Sequence, residues 1–381
     1  MSKELMFSTN DDAKLDKKKV VVGMSGGVDS TVAAYKLKEM GYDVIGITMR
    51  LWKDDDLEDE FYESEGGCCS LSAVEDARRV AQKIGIPFYV INFKDVFKET
   101  VVDYFTDEYL NGRTPNPCIA CNKYVKFDAL IKKAHDLGAY YVATGHYAKF
   151  IEDKETGRVL VKKSSEEKKD QTYAIYNLTQ DQLKYILMPL GDFTSKDEVR
   201  EIASSFDFEV GSKSDSQEIC FVPDNNYSGF VQRQIHTEIP KGNFVDLEGN
   251  ILGIHQGIIH YTVGQRKGLG VTFGKPMYVV EINPKTNEVV LGSNEEVFAT
   301  TLIADKVNFI MFDDIREPVN LQAKVRYSAK PANCLVSRVD KDTIKVVFEE
   351  AQRAITPGQA VVFYDKEYLA GGATIIRSVK S

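Results

Sequence analysis

The sequence predicts an α/β chain in three parts. A doubly wound parallel-sheet domain covers residues 1–214, a small mixed α+β domain covers 215–297, and a C-terminal β-barrel covers 298–381. Three observations carry this. Up to Tyr147, short apolar runs alternate with helical stretches that close on glycine, the spacing of a parallel sheet with crossover helices. A glycine-rich turn separates the first run from the first helical stretch, where such sheets receive phosphate. From residue 298 onward the chain is nearly all strand-like.

The elements follow in order. "KVVVGM" reads as a buried strand, and "DSTVAAYKLKEMG" as a helix closed by Gly41. "DVIGITM" is the second strand, "SLSAVEDARRVAQKIG" a helix ending at Gly85, and "PFYVINF" the third strand. "VFKETVVDYFTDEYLNG" and "YVKFDALIKKAHDLG" read as helices, and "YYVATGHY" as a further strand. "AKFIEDKETGRVLVKK" has the form of a hairpin turning near Thr156-Gly157. Helical stretches are expected around 180–187 and 195–206, before the polar stretch "GSKSDSQ". "LQAKVRY", "NCLVSRV", "TIKVVF" and "AVVFY" supply the barrel strands.

Composition sets limits on function. With 43% hydrophobic and 28% charged residues over 381 positions, the chain is an ordinary soluble protein with enough material for a real core. No apolar run approaches the roughly 18 residues of a membrane span, and the opening "MSKELMFSTNDDAKLDKKKV" has no apolar core. A cytoplasmic location is therefore expected. Six cysteines, two of them adjacent, do not form a disulfide framework in a chain this long; metal or catalytic thiols fit better. The net charge of −9 argues weakly against nucleic acid, but it is unevenly spread. Residues 53–65 hold eight acids and one lysine, whereas residues 319–381 hold ten Lys/Arg against six Asp/Glu.

The phosphate turn is "GMSGGVDS": Gly23, Met24, Ser25, Gly26, Gly27, Val28, Asp29 and Ser30. Glycines let backbone N–H groups approach an anion at a helix N-terminus. No Gly-Lys-Ser/Thr follows, so it is not a Walker A loop. It resembles the loop of the PP-loop ATP pyrophosphatases, adenylating enzymes of adenine nucleotide hydrolase-like fold that split ATP into AMP and pyrophosphate. That resemblance places Asp29 near pyrophosphate and its Mg²⁺, Ser25 and Ser30 on phosphate oxygens, adenine near Met49, and Gly145 and His146 at the border of the same crevice.

The remaining motifs narrow the substrate. "GRTPNPCIACNKYVKF", "ATGHYAKF", "KKDQTYAIY", "SDSQEICFV", "HQGIIHYTVGQRKGLG", "VRYSAKP" and "TPGQAVVFY" together resemble tRNA-specific 2-thiouridylase, from about Val20 to Gly372 and in order. The resemblance implies an ATP-dependent tRNA-uridine sulfurtransferase. It adenylates O2 of the wobble uridine, sulfur displaces AMP, and a sulfur donor fed by a cysteine desulfurase supplies the sulfur. A different PP-loop ligase or amidotransferase acting on a small molecule is the alternative. A non-enzymatic metal-binding RNA module is a third reading, but it leaves "SGGVDS" without a purpose.

The resemblance assigns Cys121 as nucleophile and Cys220 as persulfide carrier. Asn116, Pro117 and Cys118 would meet the target uridine, with His146 near the flipped base. Lys169, Asp170 and Gln171 would touch tRNA beside the site, and Arg326, Tyr327 and Gln359 would grip the anticodon arm from the barrel. Arginine suits phosphate and tyrosine a base platform.

The chain departs from the better-known form of the family at Cys118, where that form carries aspartate. Cys118 and Cys121 then make a C-x-x-C pair. Four readings stay open: with Cys220, three ligands of a 4Fe–4S cluster; persulfide chemistry without iron; zinc, for which Cys68, Cys69 or His146 would complete the usual four ligands; or a simple disulfide pair with a spare thiol. The cluster reading is preferred here, because a thiol is a poorer proton acceptor than aspartate and adds an oxidisable group. Cys68 and Cys69 are expected to pack or to serve no assigned role, and Cys334 to lie in the core.

Overall fold

The structure, a computed structural model, describes residues 12–51, 71–206, 210–211, 219–235, 237–271 and 274–380. Cys68 and Cys69 lie outside the described residues. Two compact units divide the chain: Met1–Thr100 with Ile119–Pro223, and Val101–Cys118 with Asp224–Ser381.

The first unit is built on a five-stranded parallel sheet. Its strands are β1 (Asp16–Gly23), β2 (Asp43–Arg50), β3 (Phe88–Asn92), β4 (Ala139–Ala143) and β7 (Ile186–Leu187), in the order β3-β2-β1-β4-β7. The order reverses beside β1, so the β1 turn opens at the topological switch point where such sheets bind ligands. Val20, Val21 and Val22 are wholly buried, as a central strand covered on both faces requires. Helix α1 (Val28–Glu39) is buried through Thr31, Val32, Ala33 and Ala34. Helix α2 (Leu71–Ile84) buries the stripe Ala73, Ala77, Val80, Ala81 and Ile84, spaced as one helical face. A hairpin of β5 (Lys149–Glu152) and β6 (Val159–Lys162) turns through Gly157 at φ +71°, as the sequence indicates.

The helix expected around 180–187 is corrected. A capping box of Thr179 and Gln182 starts it, but it spans only Gln180–Leu183. Ile186 and Leu187 then pair in parallel with Val142 and Ala143 as the edge strand β7. A two-residue strand has no periodicity to read. Two π-helical stretches are also unannounced by the sequence, Lys98–Val102 and Cys121–Ala129.

In the second unit, a four-stranded sheet has the order β10-β11-β8-β9, built from β8 (Gly242–Val245), β9 (Ile251–His255), β10 (Tyr278–Asn283) and β11 (Glu288–Gly292). Phe244, Tyr261, Val279, Val289 and Leu291 form its core. Six antiparallel strands then close a barrel: β12 (Phe298–Phe309), β13 (Val319–Lys324), β14 (Ala332–Arg338), β15 (Ile344–Arg353), β16 (Ala360–Asp365) and β17 (Tyr368–Val379). The order β12-β15-β14-β13-β16-β17 returns on itself through β12–β17 pairing. Closure removes the exposed edges of an open sheet. Cys334 sits in its core, 3% exposed, as the sequence predicts, and burial, with Glu349 nearby, pushes its thiol up to about 12.

Candidate active site

The phosphate turn leaves β1 at Gly23 and enters α1 at Val28. Two bonds hold its first residue to the sheet: the Met24 N–H donates to the Ile47 carbonyl at 2.8 Å, and the Thr48 hydroxyl donates to the Met24 carbonyl at 2.7 Å. Gly26 has φ +70°, and a Cβ there would stand 2.2 Å from the Ala73 carbonyl oxygen, so only glycine fits. The Ser30 hydroxyl accepts from the Ser25 N–H at 3.1 Å and lies 3.3 Å from the Ser25 hydroxyl. Both expected phosphate-binding serines thus converge at the start of α1, where the helix dipole favours an anion. Met49 also belongs here: a Cβ on Gly23 would stand 3.5 Å from its Cε.

Asp29 lies in the first turn of α1, and two residues on other elements grip its carboxylate. The Tyr147 hydroxyl donates to Oδ1 at 2.6 Å, and the Lys196 ammonium donates to the same oxygen. Lys196 starts the helix Lys196–Phe206, is 11% exposed as a side chain, and lies 5.5 Å from the centre of the Tyr147 ring. Gly145 closes the arrangement, because a Cβ there would stand 2.7 Å from Asp29 backbone and side-chain atoms and from the Ser30 nitrogen. Neither Lys196 nor Tyr147 stands out in the sequence; a lysine opening a helix after a serine is ordinary, and only the fold brings it to Asp29.

The segment after Gly145 is held by Gln171, whose side-chain carbonyl accepts from the Tyr147 N–H at 2.9 Å and whose N–H donates to the Tyr147 carbonyl at 3.0 Å. His146 is 7% exposed, with Nδ1 2.7 Å from the Thr144 hydroxyl and its ring near Phe127. Burial first, and then Lys126, pushes its pKa down to about 3, so the imidazole is neutral at physiological pH. The Asp170 carboxylate accepts from the Ser164 N–H at 3.1 Å and the Thr172 hydroxyl at 2.7 Å, while burial raises its pKa. Lys169 ends a single 3-10 turn, Glu167–Lys169.

Cys121 is buried at the first position of the π-helical stretch Cys121–Ala129. Its neighbour Asn122 donates to the Ala174 carbonyl at 3.0 Å. π-helical turns occur frequently at functional sites. Cys220 is exposed in a turn, next to Phe221, which packs edge-on against Phe97 with ring centres 5.6 Å apart. In the second unit Cys118 is exposed on the short helix Pro117–Ala120. Among the described residues, no group of three or more His, Cys, Asp or Glu could hold a metal ion. The three-thiolate cluster expected from Cys118, Cys121 and Cys220 therefore finds no support among the described residues, and nor does zinc completed by His146; Cys68 and Cys69 lie outside them.

On the barrel, Tyr327 is 48% exposed, with the Lys324 ammonium 5.6 Å from its ring centre. Arg326 donates to the Arg353 carbonyl at 2.9 Å, and Arg353 donates to the Gly264 carbonyl at 3.3 Å, which ties the barrel to "GQRKGLG". Gln359 donates to the Thr114 carbonyl at 2.8 Å and the Pro115 carbonyl at 3.3 Å. No helix among the described residues is long and apolar enough to cross a membrane.

Residues 18–224 match the family described as tRNA methyl transferase HUP domain, 228–293 the tRNA methyl transferase PRC-barrel domain, and 299–375 the aminomethyltransferase beta-barrel domain. Over 362 residues the chain is 63% identical to the tRNA-specific 2-thiouridylase MnmA of Clostridioides difficile strain 630, covering 95% of this chain and 99% of that one. The chain belongs to the tRNA-specific 2-thiouridylase family. The MnmA of Clostridium acetobutylicum is 61% identical over 94% of this chain and 99% of its own, and that of Clostridium perfringens strain 13 is 57% identical over 95% and 99%. The segment matches carry methyl-transfer names, but the relatives matched over 94–95% of the chain are named tRNA-specific 2-thiouridylase. The family's domain order is the observed one: a parallel-sheet domain, a middle domain and a closed six-stranded barrel.

Proposed function

We propose that the enzyme replaces the 2-oxygen of the wobble uridine of tRNA with sulfur, using ATP. The observation that carries this reading is 63% identity over 95% of the chain to a tRNA-specific 2-thiouridylase. The PP-loop geometry supplies the physical half of the argument. Ser25, Ser30 and the start of α1 offer donors to phosphate oxygens, and Asp29 offers a hard oxygen ligand of the kind Mg²⁺ takes. Gly23, Met24, Gly26, Gly27, Val28, Met49 and Gly145 shape the rest of the nucleotide pocket. Mg²⁺, when bound, offsets the negative charge of the phosphates.

In the first step the uridine O2 attacks the α-phosphorus. An O2–P bond forms, the bond to the β-phosphate oxygen breaks, pyrophosphate leaves, and the N3 proton is lost. A carbonyl oxygen is a poor leaving group, and adenylation turns it into part of AMP. The terminal sulfur of a persulfide on Cys220 then attacks C2, and the C2–O2 bond breaks as AMP departs. The Cys121 thiolate attacks the Cys220 sulfur, the S–S bond breaks toward the base, the base takes a proton back at N3, and 2-thiouridine is left with a Cys121–Cys220 disulfide. A cellular dithiol reduces that disulfide, and a sulfur donor supplied by a cysteine desulfurase reloads Cys220. No step is assigned to iron. Cys118, in place of a carboxylate, handles a proton or positions the base.

Asn116, Pro117 and Cys118 face the target uridine in this reading. His146, Lys169, Asp170 and Gln171 border it, although His146 and the Asp170 carboxylate are held mainly by protein contacts. Arg326, Tyr327 and Gln359 are the barrel's contribution to tRNA binding. The boundaries 1–214, 215–297 and 298–381 remain our division into catalytic, central and tRNA-binding domains, and we place the enzyme in the cytoplasm. Release of pyrophosphate stimulated by unmodified tRNA, and by no amino acid or free nucleotide, tests the reading against a small-molecule ligase. Equal release without tRNA would defeat it.

A further inference from the structure

The geometry points to Gln359 as a positioning residue that fixes the segment delivering Cys118. The segment Thr114–Cys118 has two prolines, which carry no N–H and cannot tie themselves into a ladder. Its bonds run instead to the loops of the second unit. The Thr114 N–H donates to the Pro357 carbonyl at 2.9 Å, and the Thr114 hydroxyl donates to that of Thr262 at 3.1 Å. The carbonyls of Thr114 and Pro115 both accept from the Gln359 amide, at 2.8 and 3.3 Å. Two carbonyl acceptors fix the orientation of that amide, since only its NH₂ end can donate.

Gln359 is itself held by the barrel. Its carbonyl accepts from the Ile375 N–H at 2.8 Å, and the preceding Gly358 N–H donates to the Ile375 carbonyl at 2.8 Å. Gly358 has φ +89°, and a Cβ there would stand 3.1 Å from Arg113 and Thr114, so the turn can press on this segment only as glycine. On the other side, Gly112 at φ +65° leaves no room for a Cβ against Ile282. Arg113 makes a bidentate pair with Glu108, a carboxylate that is 5% exposed. Everything from Glu108 to Pro115 is thus clamped, and Cys118 follows within one helical turn. The Gln359 side chain, which the sequence presents as a tRNA contact, thus also holds the protein's own backbone. The barrel therefore sets where the Asn116–Cys118 stretch stands before any RNA arrives. The consequence for catalysis rests on the proposed role of that stretch at the target uridine; the clamp itself does not.

The test compares wild type with Gln359→Met, which keeps the volume and removes the donors, and with Gln359→Glu, which sets a carboxylate against two carbonyls. Without tRNA, hydrogen exchange of peptides covering 111–118 and iodoacetamide labelling of Cys118 are followed by mass spectrometry. Both rates are expected to rise in the variants by about tenfold, the scale of one or two lost hydrogen bonds, while barrel peptides covering 360–379 keep their protection. With tRNA, kcat for thiolation at saturating tRNA should fall together with kcat/KM. Unchanged exchange and labelling at 111–118 would overturn the inference, as would a variant with raised KM and unaltered kcat, the mark of a tRNA contact alone. Loss of protection across the barrel as well would also overturn it, by making Gln359 a general stability residue. Should wild type itself prove unable to thiolate tRNA, the proposed function fails while the exchange and labelling results still decide the clamp.

Discussion

The ammonium of Lys196 bonds the carboxylate of Asp29 at the mouth of the phosphate turn, from a helix that begins 167 positions later in the chain. Lys196 is nearly buried, so its charge is desolvated and matters more than a surface lysine's. In the pocket we propose for pyrophosphate, such a cation is placed to pair with the anion. Replacing Lys196 with methionine is expected to weaken ATP binding by ten- to a hundredfold, the scale of about 1.5–3 kcal/mol for a charge-assisted hydrogen bond. Equilibrium dialysis with labelled ATP and Mg²⁺ measures it. Tighter ATP binding in the variant would mean that Lys196 competes with the ligand for Asp29 rather than assisting it.

Asp29→Ala should abolish thiolation and leave tRNA affinity within about threefold, less than the tenfold that 1.4 kcal/mol represents. Filter binding and a thiouridine-sensitive gel shift report the two quantities separately. A variant that thiolates well would remove Asp29 from the chemistry.

His146 makes the protein sensitive to acid. Its pKa is about 3 in the fold and near 6.5 when unfolded, so the unfolded chain takes up the proton first as pH falls. The stability held by neutral His146 is complete above pH 6.5 and is lost progressively toward pH 3. Between pH 6.5 and 5 the loss is roughly 1.5 kcal/mol. Burial also lowers the pKa values of His135, His255 and His260, so the difference between wild type and His146→Gln isolates this one group. Urea melts should show a shallower pH dependence in the variant; parallel curves would contradict the buried neutral imidazole.

Binding of tRNA should weaken as salt rises, because each phosphate contact releases counterions. Arg326→Ala is expected to lower the slope of log affinity against log salt by about one contact's worth, roughly 0.7–0.9. A salt-independent affinity would show that the barrel's basic face is not where tRNA lies.

The cysteines should divide sharply. Cys334, with its thiol pushed up to about 12 and 3% exposed, is expected to resist alkylation at pH 8 while Cys118 and Cys220 react. Cys220→Ala should lose thiolation. Cys118→Asp should keep a substantial share of it, since aspartate restores the proton acceptor that this form of the enzyme lacks. Iron bound by anaerobically purified protein, and lost along with activity in Cys118→Asp, would reinstate the cluster.

Much of this was legible in the sequence because it rests on local chemistry. Strand and helix alternation, the glycines at 23, 26 and 27, and the hairpin at Gly157 each follow from short-range periodicity or backbone freedom. The strand Ile186–Leu187 was not legible, since two residues carry no pattern and its partner Val142 is distant in the chain. The π-helical start at Cys121 leaves no compositional trace either. Lys196 and Tyr147 become site residues only through long-range packing on Asp29. Gln359 is another such case: its amide engages Thr114, 245 positions away, a pairing that no local pattern announces.

The most direct test is nucleoside analysis of tRNA lacking 2-thiolation after incubation with the enzyme, ATP, Mg²⁺ and a persulfide donor. The expected product is 2-thiouridine at the wobble position, with AMP and pyrophosphate formed in equal amounts to it and neither formed by Asp29→Ala. Sulfur at another base, or pyrophosphate released without any thionucleoside, would contradict it.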